Sequence, residues 1–347
     1  MPIALKNLPS PELAAALAPL GASPRLARRL QAAALKLNAF PDSLPEVSPR
    51  LLSRIRHSVR FPSLDRLDVR VSPRDGFAKY IFRGDGPEPF ESVRIPLLHR
   101  PGHEKFVVCV SSQVGCPLAC AHCATGKMGF LRNLAAWEIV DQVLQIAADS
   151  PHPVGGVVFM GMGEPMLNLD EALRAARILS EPCGLAISAK AISVSTAGVV
   201  PGILRFAAEK LPFRLVVSLS CADPRKRALL MPVERSHPLP ELVRALRVWH
   251  SATRRRIVLA WTMVSGFNVG EIDALQIADL FRGLPLSIDL IDVNDPSGRF
   301  LPPSPAELDS FRDALRRHLR MPVVRRYSGG ADVHAACGML GHAPDSP

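Results

Sequence analysis

Residues 105 to 123 read KFVVCVSSQVGCPLACAHC. The stretch carries four of the chain's seven cysteines; it begins as a short apolar run, the pattern of a strand buried on both faces, and passes directly into a loop. Three of them, Cys116, Cys120 and Cys123, are spaced C-x3-C-x2-C, and Cys109 lies seven residues upstream of the first. Tetrahedral zinc sites favour two C-x2-C-like pairs, whereas three thiolates at these spacings can hold three corners of a cubic iron–sulfur cluster and leave the fourth iron open. A zinc knuckle completed by Cys109 or His122, and purely structural cysteines, are the alternatives. An open iron could chelate the amino and carboxylate groups of S-adenosylmethionine, whose reductive cleavage releases a 5′-deoxyadenosyl radical. His122 then stands where a planar side chain could pack on the adenosine.

Working outward, the chain alternates strand and helix from about residue 86. KFVVCV, GGVVFMG, AISVST, RLVVSL, RIVLAWTMV and LSIDLIDV read as strands, with helical patterns such as NLAAWEIVDQVLQIAADS between them. Six βα units imply a parallel sheet, either doubly wound and open or a partial barrel, with ligands at the C-terminal ends of the strands. Residues 1–85 read as a separate accessory unit. Ser10-Pro11, Ser23-Pro24 and Ser48-Pro49 each predict a helix start with Ser as N-cap and Pro at the first position. LDVRVSP and AKYIFRG alternate like a half-exposed hairpin. Residues 86–347 form the expected catalytic domain, an α/β partial (β/α)6 barrel.

The 347 residues are 48% hydrophobic, enough for a substantial core, and contain no run of eighteen apolar residues. The N-terminus, broken by Lys6, prolines and Glu12, fits neither a spanning helix nor a signal peptide, so a cytoplasmic address is expected. An odd count of clustered cysteines argues against a secreted disulfide framework. The net charge of +10 suits a polyanion such as RNA, although an Ala-, Pro- and Arg-rich composition also follows from GC-rich codons. Aromatic content of 5% is too low for a broad base-stacking platform. Arg25, Arg28 and Arg29, and the runs at 254–256 and 316–326, read as solvated charge or as RNA contacts.

The run CVSSQVGC…C..C.TG..GF.RNL resembles the RlmN/Cfr group of radical S-adenosylmethionine methyltransferases, which methylate an adenine of ribosomal or transfer RNA. ESVRIPL, FMGMGEPMLNLD, VSTAGVVPGI and GADVHAACGML extend the resemblance over roughly residues 10 to 341. It implies one [4Fe-4S] cluster on Cys116, Cys120 and Cys123 with an exchangeable S-adenosylmethionine, and a reductase system such as flavodoxin or ferredoxin. A cysteine matching Cys337 carries the methyl carbon. One matching Cys109 resolves the protein–RNA adduct, leaving a Cys109–Cys337 disulfide that must be reduced. Glu91 matches the candidate proton acceptor. Gly163, Glu164, Pro165, Ser195, Ser218, Leu219, Ser220 and Asn294 match positions around the cofactor.

The need for such a route can be stated chemically: C2 and C8 of adenine are electron-poor, so direct displacement of a methyl group from a sulfonium fails there. The expectation is therefore an RNA adenine methyltransferase, at C2 before C8, acting as a monomer on a loop or splayed nucleotide. A radical enzyme acting on a small molecule or peptide is the alternative. Three departures border the site: SLSCADP replaces S-L-H-A-P, so that Ser220 stands for a histidine and Cys221 is extra, IDLIDVND replaces I-N-L-I-P-x-N-P, and AWTMVSGFN replaces a more acidic segment. Cys183 reads as structural.

Overall fold

Ten strands lie side by side in the order in which the chain makes them. They are β1 (Asp65–Val71), β2 (Ala78–Arg83), β3 (Phe90–Leu97), β4 (Lys105–Cys109), β5 (Val154–Phe159), β6 (Ile192–Thr196), β7 (Arg214–Ser218), β8 (Ile257–Met263), β9 (Leu286–Asp292) and β10 (Val323–Arg326). The computed structural model describes residues 3–98, 101–295 and 297–341. Strands β1 to β4 pair antiparallel, and β4 to β10 pair parallel throughout. A doubly wound sheet reverses its strand order partway; this one never turns back, which is the progression of a barrel wall. β1 and β10 are its two edges.

All six expected strands are present as β4 to β9, and a seventh parallel strand, β10, extends them. β10 carries Arg325 and Arg326, which form ion pairs with Asp292 at 2.7 Å and Asp289 at 3.0 Å on β9. Charged side chains are common on edge strands because they discourage further pairing, and they hide the apolar rhythm that marks a strand. The expected hairpin exists as β1 and β2, but it is hydrogen-bonded to the central sheet rather than to the N-terminal helices.

Those helices, α1 (Ser10–Leu17), α2 (Pro24–Leu37) and α3 (Pro49–Ser58), have their own core around Leu13, Leu17, Leu26, Leu30, Leu52 and Ile55. Ser23 and Ser48 cap as expected, each accepting a 3.2 Å bond from the backbone three residues on. Ser10 does not cap. Its hydroxyl donates instead to Gln31 Oε1 at 2.8 Å, a buried bond between α1 and α2, and Pro9 takes the cap position. The unit is fastened to the sheet by Lys6, fully buried and ion-paired with Asp141 on α4 (Ala136–Ala148), the helix that follows the cysteine loop.

A second fastening bridges the two edges of the sheet. Asp75, in the β1–β2 turn, accepts bonds from the Tyr327 hydroxyl at 2.8 Å and the Gly330 N–H at 2.9 Å, just beyond β10. The Ser72 hydroxyl donates to Asp332 at 3.1 Å, and the rings of Phe77 and Tyr327 meet edge to face at 5.9 Å.

Candidate active site

The cysteine loop leaves the C-terminal end of β4, and its first residues, Ser111 to Gly115, are buried. Two other motif segments hydrogen-bond to them. Met162 O accepts from the N–H of Ser112 at 2.9 Å and of Gln113 at 3.2 Å, while Gln113 Oε1 accepts from Glu164 N at 2.8 Å. Gln113 Nε2 donates to Asn133 at 2.8 Å, and Asn168 Nδ2 donates to Ser112 O and Leu134 O, both at 2.8 Å. The segments SSQVG, GMGEPMLN and RNL thus form one hydrogen-bonded frame. Gly163 serves it with φ +95° and a backbone so close to Gln113 that a Cβ would lie 2.5 Å from Gln113 Cβ.

Cys116, Cys120 and Cys123 are free and half-buried. Burial first, and then neighbouring charges including Glu164 and Cys123, hold the Cys116 thiol up at about 12. Cys120 is raised by burial and then by Cys123, Cys116 and Glu164, with Arg227 opposing. Its side chain packs with Leu118 against a small apolar cluster of Ala197, Cys221, Leu230, Met231, Val233, Val264 and Val293. Three thiols gathered in one loop, two of them kept protonated by burial, fit a group that binds thiolates and supplies the positive charge they lack. His122, beside them, is pushed down to about 4 by burial, with Asp295 opposing and Lys127 assisting, and its Nδ1 meets no partner among the described residues.

The C-terminal loop is docked on this site. Ala124 N, directly after the third cysteine, donates to Gly338 O at 2.7 Å, and Thr125 Oγ1 donates to Leu340 O at 2.6 Å. Cys337 N donates to Ser328 Oγ at 3.0 Å, and Asn294 Nδ2 donates to Ser328 Oγ at 3.1 Å and to Cys337 O at 3.4 Å. Cys337 keeps solvent access at this mouth, yet the surrounding protein, and then the charge of Cys123, hold its thiol up at about 11. Cys109, at the end of β4, is held at about 12 by burial and then by Cys337. Cys337 therefore stands within electrostatic reach of both Cys123 and Cys109. All seven cysteines are unbridged.

Glu91 on β3 is buried beside the same loop. Its Oε2 accepts from Gly341 N at 2.8 Å, and its Oε1 lies 3.1 Å from Lys79 Nζ. Glu164 is buried, and its oxygens accept from Met166 N at 3.0 Å and Ala197 N at 2.8 Å, so its carboxylate ties the ends of β5 and β6 together. Burial nevertheless lifts it to about 7. Pro165 opens the 3-10 turn that follows. Ser195 and Ser218 meet across β6 and β7, with their hydroxyls 3.5 Å apart. Leu219 is fully buried in the core, leaving only its backbone toward the strand ends. Ser220 takes φ +55° and turns its carbonyl to Asn268 Nδ2 at 2.7 Å, while its buried hydroxyl has no partner among the described residues.

Sequence reasoning passed over several residues of this frame. Lys79 sits in an alternating strand where a lysine reads as solvent-facing, yet it is fully buried. Arg227, also fully buried, donates to Glu234 at 2.5 Å and to Ala197 O at 2.6 Å. Asn268 is legible only as the final residue of AWTMVSGFN; besides Ser220 it serves Val264 N at 2.7 Å and Thr262 O at 2.8 Å. Cys183, expected to be structural, is exposed in the turn at 181–184 and fills no core. Open grooves of about 310 and 480 Å³, lined by Arg66, Asp149 and Gln145 among others, lie by β1 and α4, and no cysteine lines either.

The Radical SAM superfamily pattern matches residues 110–277. A probable RNA methyltransferase of Myxococcus xanthus is 48% identical, covering 97% of this chain and 93% of its own. A dual-specificity RNA methyltransferase RlmN of Syntrophobacter fumaroxidans is 41% identical, covering 83% and 82%. The crystal structure of a radical SAM methyltransferase from Sphaerobacter thermophilus superimposes with a TM-score of 0.87 at 35% identity, over 98% of this chain and 99% of that one. Cysteines spaced for a cluster at the head of an ordered barrel wall, and relatives that match along nearly the whole chain, lead to one assignment: the chain belongs to the radical SAM superfamily, among the RlmN-like RNA methyltransferases.

Proposed function

We propose that this chain methylates a carbon of an RNA adenine, C2 before C8, in ribosomal or transfer RNA, and that Cys337 carries the carbon. The observation that supports this reading most directly is the docking of the Cys337 loop on the cysteine loop, with Gly338 O bonded to Ala124 N and Leu340 O to Thr125 Oγ1. Cys116, Cys120 and Cys123 would hold the [4Fe-4S] cluster; the strand-end groups of Gly163, Glu164, Pro165, Ser195, Ser218, Leu219, Ser220 and Asn294 would surround the S-adenosylmethionine. When bound, the pair supplies an electron-driven radical able to take hydrogen from a carbon.

The side chains divide the remaining work. Cys337 holds the incoming carbon as an S-methyl thioether and, once hydrogen is removed, presents it to the adenine edge. Glu91 accepts the proton that leaves the substituted carbon. The unpaired electron of the adduct would return to the cluster; Cys109 attacks the sulfur of Cys337, the sulfur–carbon bond breaks toward the base, whose new carbon takes up a proton to become the methyl group, and the resulting disulfide takes two electrons from a reductant such as flavodoxin or ferredoxin. The chain acts as a monomer. Reconstituted enzyme incubated with ribosomal and transfer RNA tests this: mass spectrometry is expected to find a new C-methyladenine, and an unchanged adenine pattern in both would overturn the assignment.

A further inference from the structure

Building on the proton-acceptor role proposed for Glu91, we infer that Lys79 is a positioning residue that fixes that carboxylate and, through it, the loop bearing Cys337. In the β2–β3 ladder Glu91 faces Ile81, and Lys79 lies two residues along on the same face, so its side chain reaches Glu91 on the diagonal. The ammonium is 3.1 Å from Glu91 Oε1, with both side chains shielded from water. Lys79 Nζ finds no in-line hydrogen-bond acceptor among the described residues. Across the ladder Lys79 stands opposite Val93, a buried core residue, while Tyr80, Phe82 and Phe90 fill the other face of the two strands. A buried ammonium is costly wherever it is not paired, and a methionine would fill this space without that cost. Glu91 accounts for the lysine.

The geometry leaves Glu91 little freedom. Its C=O accepts from Ser111 Oγ at 2.5 Å, and its N–H points to Met162 Sδ at 3.3 Å. With Oε1 held by the cation, Oε2 is turned to Gly341 N–H at 2.8 Å, four residues past Cys337. The acceptor and the carbon-bearing thiol are thereby held in register. Without Lys79 the carboxylate is a buried charge with no cation beside it. It is then free to swing away from Gly341, which takes the acceptor out of register with Cys337.

Two measurements on the reconstituted enzyme test the inference. Amide hydrogen exchange of the peptide spanning Cys337–Gly341 is expected to quicken several-fold in Lys79→Met, with the iron–sulfur absorbance unchanged; unchanged exchange overturns the inference. Methylation of ribosomal and transfer RNA is then compared in Lys79→Met, Glu91→Gln and the double variant. Each single variant is expected to lose about 100-fold or more, the size of a general-base contribution. The double variant should lose no more than Glu91→Gln alone, because Lys79 acts through Glu91. Multiplying losses would assign Lys79 an independent structural role and overturn the inference. Wild-type methylation by Glu91→Gln would instead overturn the acceptor reading beneath it, and a silent Lys79→Met beside an inactive Glu91→Gln would overturn only the present step. If Lys79→Met does not fold, Lys79→Gln, neutral but polar, carries the same expectations.

Discussion

The carbonyl oxygen of Gly338 accepts a 2.7 Å hydrogen bond from the N–H of Ala124, joining the residue after Cys337 to the residue after Cys123. Gly338 has φ +88°, and a Cβ there would stand 3.2 Å from His122 O. Left-handed backbone costs a side-chain-bearing residue about 1–2 kcal/mol. Gly338→Ala is therefore expected to cut methylation roughly tenfold by unseating the loop. Iron–sulfur absorbance should not change, since no cysteine of the C-x3-C-x2-C set is touched.

Cys337→Ala is expected to abolish methyl transfer while reductive cleavage of S-adenosylmethionine and the cluster absorbance persist. Cys109→Ala should instead accumulate a protein–RNA crosslink, visible as a nuclease-sensitive band shift in a denaturing gel. Normal turnover by Cys109→Ala would mean that another group releases the adduct.

Replacing Cys116, Cys120 or Cys123 by Ala should each eliminate the iron–sulfur spectrum after anaerobic reconstitution. Cys221→Ala serves as the control. Its thiol is buried against Leu230 and Met231 and raised to about 12 by burial first and then by Asp273, so the spectrum should survive its loss.

Glu164 gives the cluster-free protein a characteristic pH response. Burial holds the folded carboxyl at about 7 against an ordinary 4.5. The folded chain then binds this proton more tightly than the unfolded chain does. Its contribution to stability is greatest below the ordinary value and is lost as pH rises through about 7, by on the order of 3 kcal/mol. Urea unfolding of wild type and Glu164→Gln across that range should give curves whose difference follows this trend.

Lys6→Met removes one partner of a fully buried ion pair and leaves Asp141 with only neutral donors: Leu64 N at 2.7 Å, Gln145 Nε2 at 2.9 Å and Ser63 Oγ at 3.2 Å. A loss of about 3–5 kcal/mol is expected, read from the urea midpoint. A change below about 1 kcal/mol would show that the N-terminal unit does not depend on this fastening.

The parallel strands were legible because buried strands write themselves as apolar runs, and KFVVC, ISVST and RLVVS needed nothing further. β10 was hidden by its arginines, whose pairing with Asp289 and Asp292 becomes apparent only when β9 lies alongside. The cysteine spacing pointed to its chemistry because three thiols in so short a loop have few other uses. Lys79 could not be found in the same way, since its importance lies in a diagonal contact between strands. Ser10 was misread for a similar reason: a Ser-Pro pair predicts a cap, but Gln31, distant in sequence, claims the hydroxyl.

The Asp75 clasp joins residues 252 and 255 positions apart, and the Glu91 contact with Gly341 spans 250. During synthesis residues 327–341 must therefore return to a hairpin made some 250 residues earlier before Cys337 reaches its seat. Contacts so distant along the chain form late in folding. A nascent chain that has not yet reached residue 327 carries the cysteine loop without the loop that docks on it, so the site is assembled only after residues 327–341 have been made.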